Sequence, residues 1–167
     1  MAGSREYRFR AVAPGDAALL RGWFTQPGAA RWFADPGYAD EIARRGDANV
    51  RGRIVALAGR DIGWVQDYGV HGWGAHHLDF LAQGARGIDM AVGPPDLRGR
   101  GHGRCILDAV LEEMETEGVP AFGIDPHPDN AAAIACYAAV GFRRVREEET
   151  PWGRALLMVR AGAGTVG

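Results

Sequence analysis

The sequence predicts an α/β fold in which seven strands and about four helices share one domain. Apolar segments of strand length alternate along the chain with segments whose apolar residues recur at helical spacing. One strand-like segment, 88–92, passes through a glycine-rich loop directly into a helix at 101–117. The 167 residues, 47% hydrophobic and 24% charged, are enough for one substantial core. We therefore expect a single domain over residues 1–167, with its core at about 5–160.

The first half of the chain reads as a strand, two helices and a hairpin. Residues 6–12 alternate between apolar and polar, which is typical of a strand. Asp16 follows Pro14-Gly15 and is expected to cap a helix over 17–24. A second helical piece, 29–45, is interrupted by Pro36-Gly37. Strands are predicted at 53–58 and 62–68, joined at Gly59-Arg60-Asp61.

The second half begins with a long loop, 70–86, and continues with alternating elements. The helix at 101–117 carries an apolar stripe of Ile106, Leu107, Val110, Leu111 and Met114, whereas Asp108, Glu112, Glu113 and Glu115 read as solvated. Gly118 is expected to end it. Further strands are predicted at 120–125, 142–147 and 155–160, and a further helix after Asp129 or Asn130 as its cap.

Bulk properties exclude several classes of function. A net charge of −2 and a pI near 6.2 lack the excess of positive charge that is typical of nucleic-acid-binding proteins. No apolar run approaches the roughly 20 residues of a membrane span. No signal-like segment opens the chain, so we expect a cytoplasmic protein. Cys105 and Cys136 are expected to be buried free thiols. His76-His77 lacks further ligands at metal spacing, so no metal is expected.

The loop after strand 88–92 is the strongest local signal. Residues 98–104 read Arg-Gly-Arg-Gly-His-Gly-Arg, and unpaired N–H groups at a helix start attract anions such as phosphate. The Walker pattern fails because Arg104-Cys105 stands where Lys-Ser/Thr is needed. The dinucleotide pattern fails because the glycines lie at 99, 101 and 103. The alternative is a glycine-rich turn before an ordinary helix.

Two motifs in order resemble the GCN5-related N-acetyltransferases (GNAT) over about residues 7–160. They are Arg-x-x-Gly-x-Gly at 98–103 and N-x-x-A-x-x-x-Y-x-x-x-G-F at 130–142. The resemblance implies a mixed, mostly antiparallel sheet of six or seven strands, splayed where acetyl-CoA (coenzyme A) binds. It assigns the following residues to the cofactor: Met90, Ala91, Val92, Arg98, Gly99, Arg100, Gly101, His102, Gly103, Arg104, Asn130, Ala133 and Tyr137.

The same resemblance gives Tyr137 the role of general acid toward the departing thiolate, and a backbone N–H near Met90 would face the thioester oxygen. The alternative for Tyr137 is that it only packs on a half-buried helix face. Asp89 interrupts an apolar strand, and an acid there must be paired or face water. Asp125 ends the next strand, and its alternative role is to form the turn before Pro126.

The strings G-I-D, D-P-x-P-x-N and C-Y-x-x-x-G-F resemble the aminoglycoside 6'-N-acetyltransferases in particular, as does the strand at 62–68. In that family Asp89 would be a catalytic base or amine anchor, and Asp125 would bind the polycationic substrate. The substrate-binding set implied is Asp125, Asp89, Trp32, Phe33, Gln66, Trp73 and Asp79. Core packing is the alternative for Trp32 and Phe33.

The loop before G-I-D departs from this family, because only Asp79 is acidic there and His71, His76 and His77 replace a run of acids. The acceptor is therefore open to alternatives: a siderophore hydroxylamine, a polyamine or a peptide N-terminus. A non-catalytic acyl-CoA-binding module is a third hypothesis. We expect a small-molecule amine as partner, with no nucleic acid or membrane, for a monomer or homodimer.

Overall fold

The computed structural model of this chain describes residues 6–164. Their helices and strands follow the predicted order. The strands are β1 (Tyr7–Ala11), β2 (Val50–Leu57), β3 (Arg60–Gly69), β4 (Arg86–Val92), β5 (Ala121–Ile124), β6 (Arg143–Thr150) and β7 (Gly153–Ala161). The helices are α1 (Ala17–Phe24), α2 (Tyr38–Arg44), α3 (His102–Thr116) and α4 (Ala131–Ala139).

The strands form one seven-stranded sheet in the order β1-β2-β3-β4-β5-β7-β6. β1–β2, β5–β7 and β6–β7 pair antiparallel, while β4 and β5 pair in parallel. This confirms the predicted mixed, mostly antiparallel sheet. The β4–β5 ladder contains only Arg86↔Phe122 and Gly87↔Gly123, so pairing stops before β4 reaches Ile88. The splay expected at the acyl-CoA site stays a prediction.

The chain divides into two compact units. The first unit contains the residues up to Gln66 together with Met90–Ile106, and the second contains Asp67–Asp89 together with the residues from Leu107 onward. The single domain over 1–167 stays a prediction, and its extremes, 1–5 and 165–167, lie outside the described residues. No helix within 6–164 has both the length and the apolar character needed to cross a membrane.

The first unit is held by an apolar cluster around α1. Leu20, Trp23 and Phe24 pack with Ile54 of β2 and Trp64 of β3. Burying large side chains of this kind stabilises a domain by about 1.5–3 kcal/mol each. Helix α2 is much shorter than the predicted 29–45, because Pro36-Gly37 prevents a continuous helix and only isolated turns precede it.

The prediction that the Asp16 side chain caps α1 is wrong, because that side chain makes no capping hydrogen bond. Its carboxylate accepts two hydrogen bonds of 2.8 Å from the Arg10 guanidinium and one of 2.8 Å from the Ala13 N–H. The Arg10 bonds lower the pKa of Asp16 below its usual value, against the opposing effect of burial. Asp16 therefore fastens the end of β1 to the turn that leads into α1.

In the second unit, the part of the apolar stripe from Leu107 to Met114 is buried as predicted. Glu115 was predicted to be solvated and is instead mostly buried, because its carboxylate pairs with Arg160 at 2.9 Å. Strands β6 and β7 are longer than predicted and meet at a turn around Trp152. Cys105 and Cys136 are free, as expected, but half-buried rather than buried.

Candidate active site

The first unit presents backbone groups along β4. The Gly93 N–H donates to the Ile62 carbonyl at 2.9 Å, so alternate residues of β4 face β3, among them Ala91. The N–H and C=O groups of Met90 and Val92 consequently point to the side away from β3. Because the β4–β5 ladder ends at Gly87, this edge suits the strand-like bonds predicted for an extended ligand.

The loop after β4 has the conformation that its glycines allow. Gly99 and Gly101 take φ values of +71° and +82°, a left-handed region that other L-residues enter at a cost of roughly 1–2 kcal/mol. Helix α3 follows directly, with the Cys105 N–H bonded to the Gly101 carbonyl at 3.1 Å. The N–H groups of Gly103 and Arg104 lie in the first turn, before intrahelical bonding begins. This geometry fits a phosphate group.

The Arg98 side chain bonds to the backbone of the protein, and its predicted contact with the cofactor stays a prediction. Its guanidinium donates to the carbonyls of Val92 at 3.2 Å and Gly93 at 2.9 Å, and its third contact is the Gln26 side chain at 3.5 Å. These bonds join the loop to the end of β4. The side chain therefore shapes the loop, and the exposed Arg100 and Arg104 provide the outward positive charge.

The side chain of His102 lies in the interior, and its predicted contact with the cofactor stays a prediction. Its ring is buried, and Nδ1 lies 2.9 Å from the Tyr7 hydroxyl, with the two rings edge to face. The imidazole therefore belongs to the interior of the first unit. Only the main chain of His102 is positioned at the helix start, so a role in cofactor binding would depend on its N–H.

In the second unit, Asp125 follows β5 directly and meets a histidine. The Nε2 atom of His77 lies 2.6 Å from Oδ2 of Asp125. The His77 side chain is 6% exposed and that of Asp125 is 21% exposed. The contact joins residues 48 positions apart, so no local signal in the sequence could have revealed it. His77 is the main functional candidate that sequence reasoning missed.

Tyr137 lies on the buried side of α4. Its phenol interacts electrostatically with the carboxylates of Asp89 and Asp125. Burial raises the pKa of its phenol well above the usual value, and electrostatic interactions with Cys136, Asp89 and Asp125 raise that pKa further. The phenol is therefore protonated at neutral pH. The structure thus brings together three residues that the sequence analysis selected, since Asp89, Asp125 and Tyr137 interact electrostatically within one unit.

Helix α4 explains most of the N-x-x-A-x-x-x-Y-x-x-x-G-F motif in structural terms. The Asn130 Oδ1 accepts from the Ala133 N–H at 3.2 Å, which is the predicted cap. Gly141, at φ +94°, ends the helix, and Phe142 places its ring 6.4 Å from that of Tyr137. Because capping uses the Ala133 N–H, cofactor contacts by Asn130 and Ala133 stay predictions.

An aromatic cluster surrounds the histidines of the 70–85 loop. Trp73 lies against Tyr68 with ring centroids 5.2 Å apart, and His76 stacks on His77 at 4.0 Å. Trp152, which the sequence analysis did not select, approaches both histidines at about 6 Å and is 77% exposed. These rings form a surface that suits a sugar or an organic cation.

The remaining acids and histidines of that loop have structural contacts. The Asp79 carboxylate accepts from the His76 N–H at 3.2 Å, so it stabilises a turn, and its predicted contact with substrate stays a prediction. His71 places Nε2 2.9 Å from the Leu81 carbonyl oxygen. Among the described residues, no group of three His, Cys, Asp or Glu side chains is arranged to hold a metal ion.

Three predicted substrate contacts lie in the first unit, apart from this cluster in the chain. Phe33 stacks on Phe24 with centroids 4.2 Å apart, which agrees with the core-packing alternative. Trp32 is half-buried, and the guanidinium carbon of Arg31 lies 4.5 Å from the centroid of its ring. Gln66 is 3% exposed, with Nε2 3.5 Å from the Tyr38 hydroxyl.

Gln66 also lines a cavity of about 410 Å³ whose wall includes Arg45, Arg51 and Arg53. Positive side chains disfavour a polycationic ligand there. The roles of Trp32, Phe33 and Gln66 in substrate binding therefore stay predictions.

Comparison with known proteins places this geometry in a family. The sequence profile described as Acetyltransferase (GNAT) domain matches residues 13–150. Aminoglycoside N(6')-acetyltransferase type 1 of Klebsiella pneumoniae is 30% identical over 165 residues, covering 90% of this chain and 81% of its own. The kanamycin resistance protein of Rhizobium radiobacter is 36% identical over 78 residues, which are 46% of this chain and 72% of its own.

Solved structures of aminoglycoside acetyltransferases have the same fold as this chain. Aminoglycoside acetyltransferase AAC(6')-Ib in complex with coenzyme A and kanamycin has a TM-score of 0.82 at 28% identity, covering 93% of this chain and 95% of its own. The same protein in complex with ribostamycin and coenzyme A gives 0.81 at 27% identity, covering 93% of each chain. The chain is therefore an acyltransferase that belongs to the GNAT acetyltransferases and, within them, to the aminoglycoside 6'-N-acetyltransferase family.

Proposed function

We propose that this enzyme transfers the acetyl group of acetyl-CoA to a primary amine of a polycationic small molecule, namely the 6'-amine of an aminoglycoside. The observation that carries the proposal is the grouping of Asp89, Asp125 and the protonated Tyr137 in the second unit. Two carboxylates suit a cationic acceptor, and a protonated phenol suits a leaving thiolate. The relatives that act on aminoglycosides support the same acceptor.

The donor is held by main-chain groups of the first unit. Bound acetyl-CoA supplies a thioester whose carbonyl carbon is open to attack by a neutral amine. The N–H groups at the start of α3, with the exposed Arg100 and Arg104, hold the diphosphate. The edge of β4 that points away from β3, through the backbone groups of Met90 and the N–H of Val92, pairs with the extended arm of the donor. A backbone N–H near Met90 stabilises the charge that develops on the carbonyl oxygen.

The acceptor is held by side chains of the second unit. Asp125 anchors an ammonium group. Asp89 either accepts the proton that the reacting amine loses or only anchors that amine, in which case the proton passes to solvent. As the new N–C bond forms and the C–S bond breaks, Tyr137 gives its proton to the sulfur, and solvent restores the phenol. No covalent intermediate with the enzyme is needed, because donor and acceptor are bound together.

A thiol-release assay with kanamycin and tobramycin tests the proposal. We expect release of one CoA thiol per acetyl group, with NMR of the product locating the acetyl group on the 6'-amine. Asp125→Asn should lower kcat/KM for kanamycin by about 10–100-fold, as expected for a lost charged contact of about 1.5–3 kcal/mol. Asp129→Asn, an exposed carboxylate at the start of α4, is the matched control and should behave as wild type.

The same assay decides between acceptors. Thiol release with a polyamine, a hydroxylamine or a peptide N-terminus, and none with aminoglycosides, would refute the antibiotic assignment but keep the acyl transfer. Binding of acetyl-CoA without release on any amine would leave only an acyl-CoA-binding module.

The composition and the thiols support a proposal about where and in what form the enzyme acts. We propose that residues 1–167 act as one domain in the cytoplasm, as a monomer or homodimer and without nucleic acid. A net charge of −2 supports the absence of a nucleic-acid partner. The two free thiols support a reducing compartment.

A further inference from the structure

The contact between His77 and Asp125 joins a loop to the end of a strand in the second unit. An ionised aspartate only accepts hydrogen bonds, so the 2.6 Å contact requires a proton on Nε2 of His77. The imidazole is nearly enclosed, while the carboxylate keeps some exposure. His77 therefore lies on the side of Asp125 that faces the protein interior, and its Nε2–H donates a hydrogen bond to Oδ2.

The second oxygen of Asp125 is left for a ligand. Within residues 6–164, the hydrogen bonds of the Asp125 side chain involve His77 alone, so Oδ1 has no protein donor. The backbone beside it is fixed, since the Pro126 carbonyl accepts from the Leu156 N–H of β7 at 2.8 Å. A rigid main chain and one fixed oxygen together define the direction in which Oδ1 points.

The surroundings of His77 hold its ring in place. His76 stacks on it with an interplanar angle of 27°, and Trp152 approaches it edge to face. Nδ1 of His76 accepts the Leu78 N–H at 3.1 Å, so that nitrogen carries no proton. Asp79 fastens the same turn through the His76 N–H. The segment from His76 to Asp79 is thus a turn, stabilised by its own hydrogen bonds, that presents one imidazole to one carboxylate.

We propose that His77 is a positioning residue for the amine acceptor: its Nε2–H holds Oδ2 of Asp125 so that Oδ1 is presented to an ammonium group. The proposal rests on the function proposed above. A carboxylate fixed before binding loses less rotamer freedom when the cation arrives, which favours affinity without changing the reacting atoms. His77 thereby takes over a supporting task in a loop that has few acids.

Steady-state kinetics with kanamycin on full-length variants tests the idea. His77→Phe keeps the size of the ring but removes the donor, and it should raise KM for kanamycin about 10-fold while kcat changes less than about 2-fold. His77→Gln supplies an amide N–H at similar reach and should restore most of the affinity. His71→Phe changes a histidine of the same loop that is bonded to the Leu81 carbonyl, and its KM should match wild type.

A spectroscopic arm does not depend on turnover. Imidazole ¹⁵N NMR should show His77 protonated on Nε2, and the signal should shift in Asp125→Asn. An Nδ1–H tautomer would overturn the proposal, as would an unchanged KM in His77→Phe or equal losses in the Phe and Gln variants. Thermal melts and acetyl-CoA calorimetry identify a variant that is merely misfolded.

The two proposals fail in different ways. If wild-type enzyme releases no thiol with any aminoglycoside, the proposed function fails and the role of His77 fails with it. If wild type is active and His77→Phe keeps its KM, only the role of His77 is refuted.

Discussion

The glycine loop of the first unit and the acid–imidazole cluster of the second unit use different parts of the chain for recognition. The loop relies on main-chain N–H groups within residues 98–104, placed by two left-handed glycines. The cluster relies on side chains from residues 77, 89, 125 and 137. Main-chain groups are the same in every residue, so the loop depends on conformation. Side chains differ, so the cluster depends on which residues are brought together.

This difference has a practical consequence for substitution. In the loop, we expect binding to be weakened by substitutions that change the backbone conformation, such as a β-branched side chain at a position with positive φ. In the cluster, conservative exchanges that leave the backbone intact remove a proton or a charge. Four predictions test this contrast, and they are given in order of decreasing effect.

Tyr137→Phe should lower kcat about 100-fold, because it removes the proton donor to the thiolate, and general acids typically contribute at least this factor. KM for kanamycin and the affinity for acetyl-CoA should stay within about 2-fold of wild type. Stopped-flow thiol release measures kcat and KM, and calorimetry measures the affinity for acetyl-CoA. Tyr38→Phe, which removes a hydroxyl from the first unit, is the control and should keep its kcat. An active Tyr137→Phe variant would contradict the acid role.

Gly101→Val should weaken acetyl-CoA binding about 10-fold, because valine opposes the φ of +82° and its side chain obstructs the approach to phosphates. Isothermal titration with CoA measures the effect. Gly59→Val is the matched control, since Gly59 has φ +79° in the β2–β3 turn. It should lower thermal stability but leave CoA affinity unchanged. Equal affinity in wild type and Gly101→Val would reject the loop as the diphosphate site.

Arg98→Lys should reduce CoA affinity a few-fold, although the charge is retained. Lysine cannot reproduce the fork that contacts Val92, Gly93 and Gln26, so the loop loses part of its support. Arg104→Lys, at an exposed position, should change affinity less than 2-fold. If both substitutions behaved alike, charge alone would matter and the structural role of Arg98 would be wrong.

The pH dependence of stability should show the smallest effect, through His76. Burial lowers its pKa below the usual 6.5, and the neighbouring His77 adds to the shift. Because the unfolded chain binds a proton at higher pH than the folded one, the stability from His76 is present above pH 6.5 and lost as pH falls below it. His76→Asn keeps an acceptor for the Leu78 N–H but cannot titrate.

Melting temperatures at pH 7.5 and 5.0 measure this contribution. Wild type should lose roughly 1–3 °C more than His76→Asn between the two values. Equal losses in the two proteins would show that protonation of His76 does not contribute to the pH dependence of stability.

Elements set by local chemistry were predicted well. The β4–loop–α3 segment and α1 at 17–24 lie within two residues of their predicted bounds, and α4 begins directly after Asn130, one of its two predicted caps. Periodicity, proline and glycine decide such elements over a few residues. The tasks of individual polar side chains were harder to predict. Asp16 pairs with Arg10, Arg98 supports the loop, His102 bonds to Tyr7 and Glu115 pairs with Arg160.

The sequence by itself determined the order of elements, the position of the phosphate loop and the family, because each depends on residues close together in the chain. The tertiary structure decided which polar groups are already occupied and which are left for a ligand. It alone joined His77 to Asp125 and placed Trp152 beside the histidines. Hydrogen bonds and charges act over a few ångströms in space, and separation along the sequence does not fix that distance.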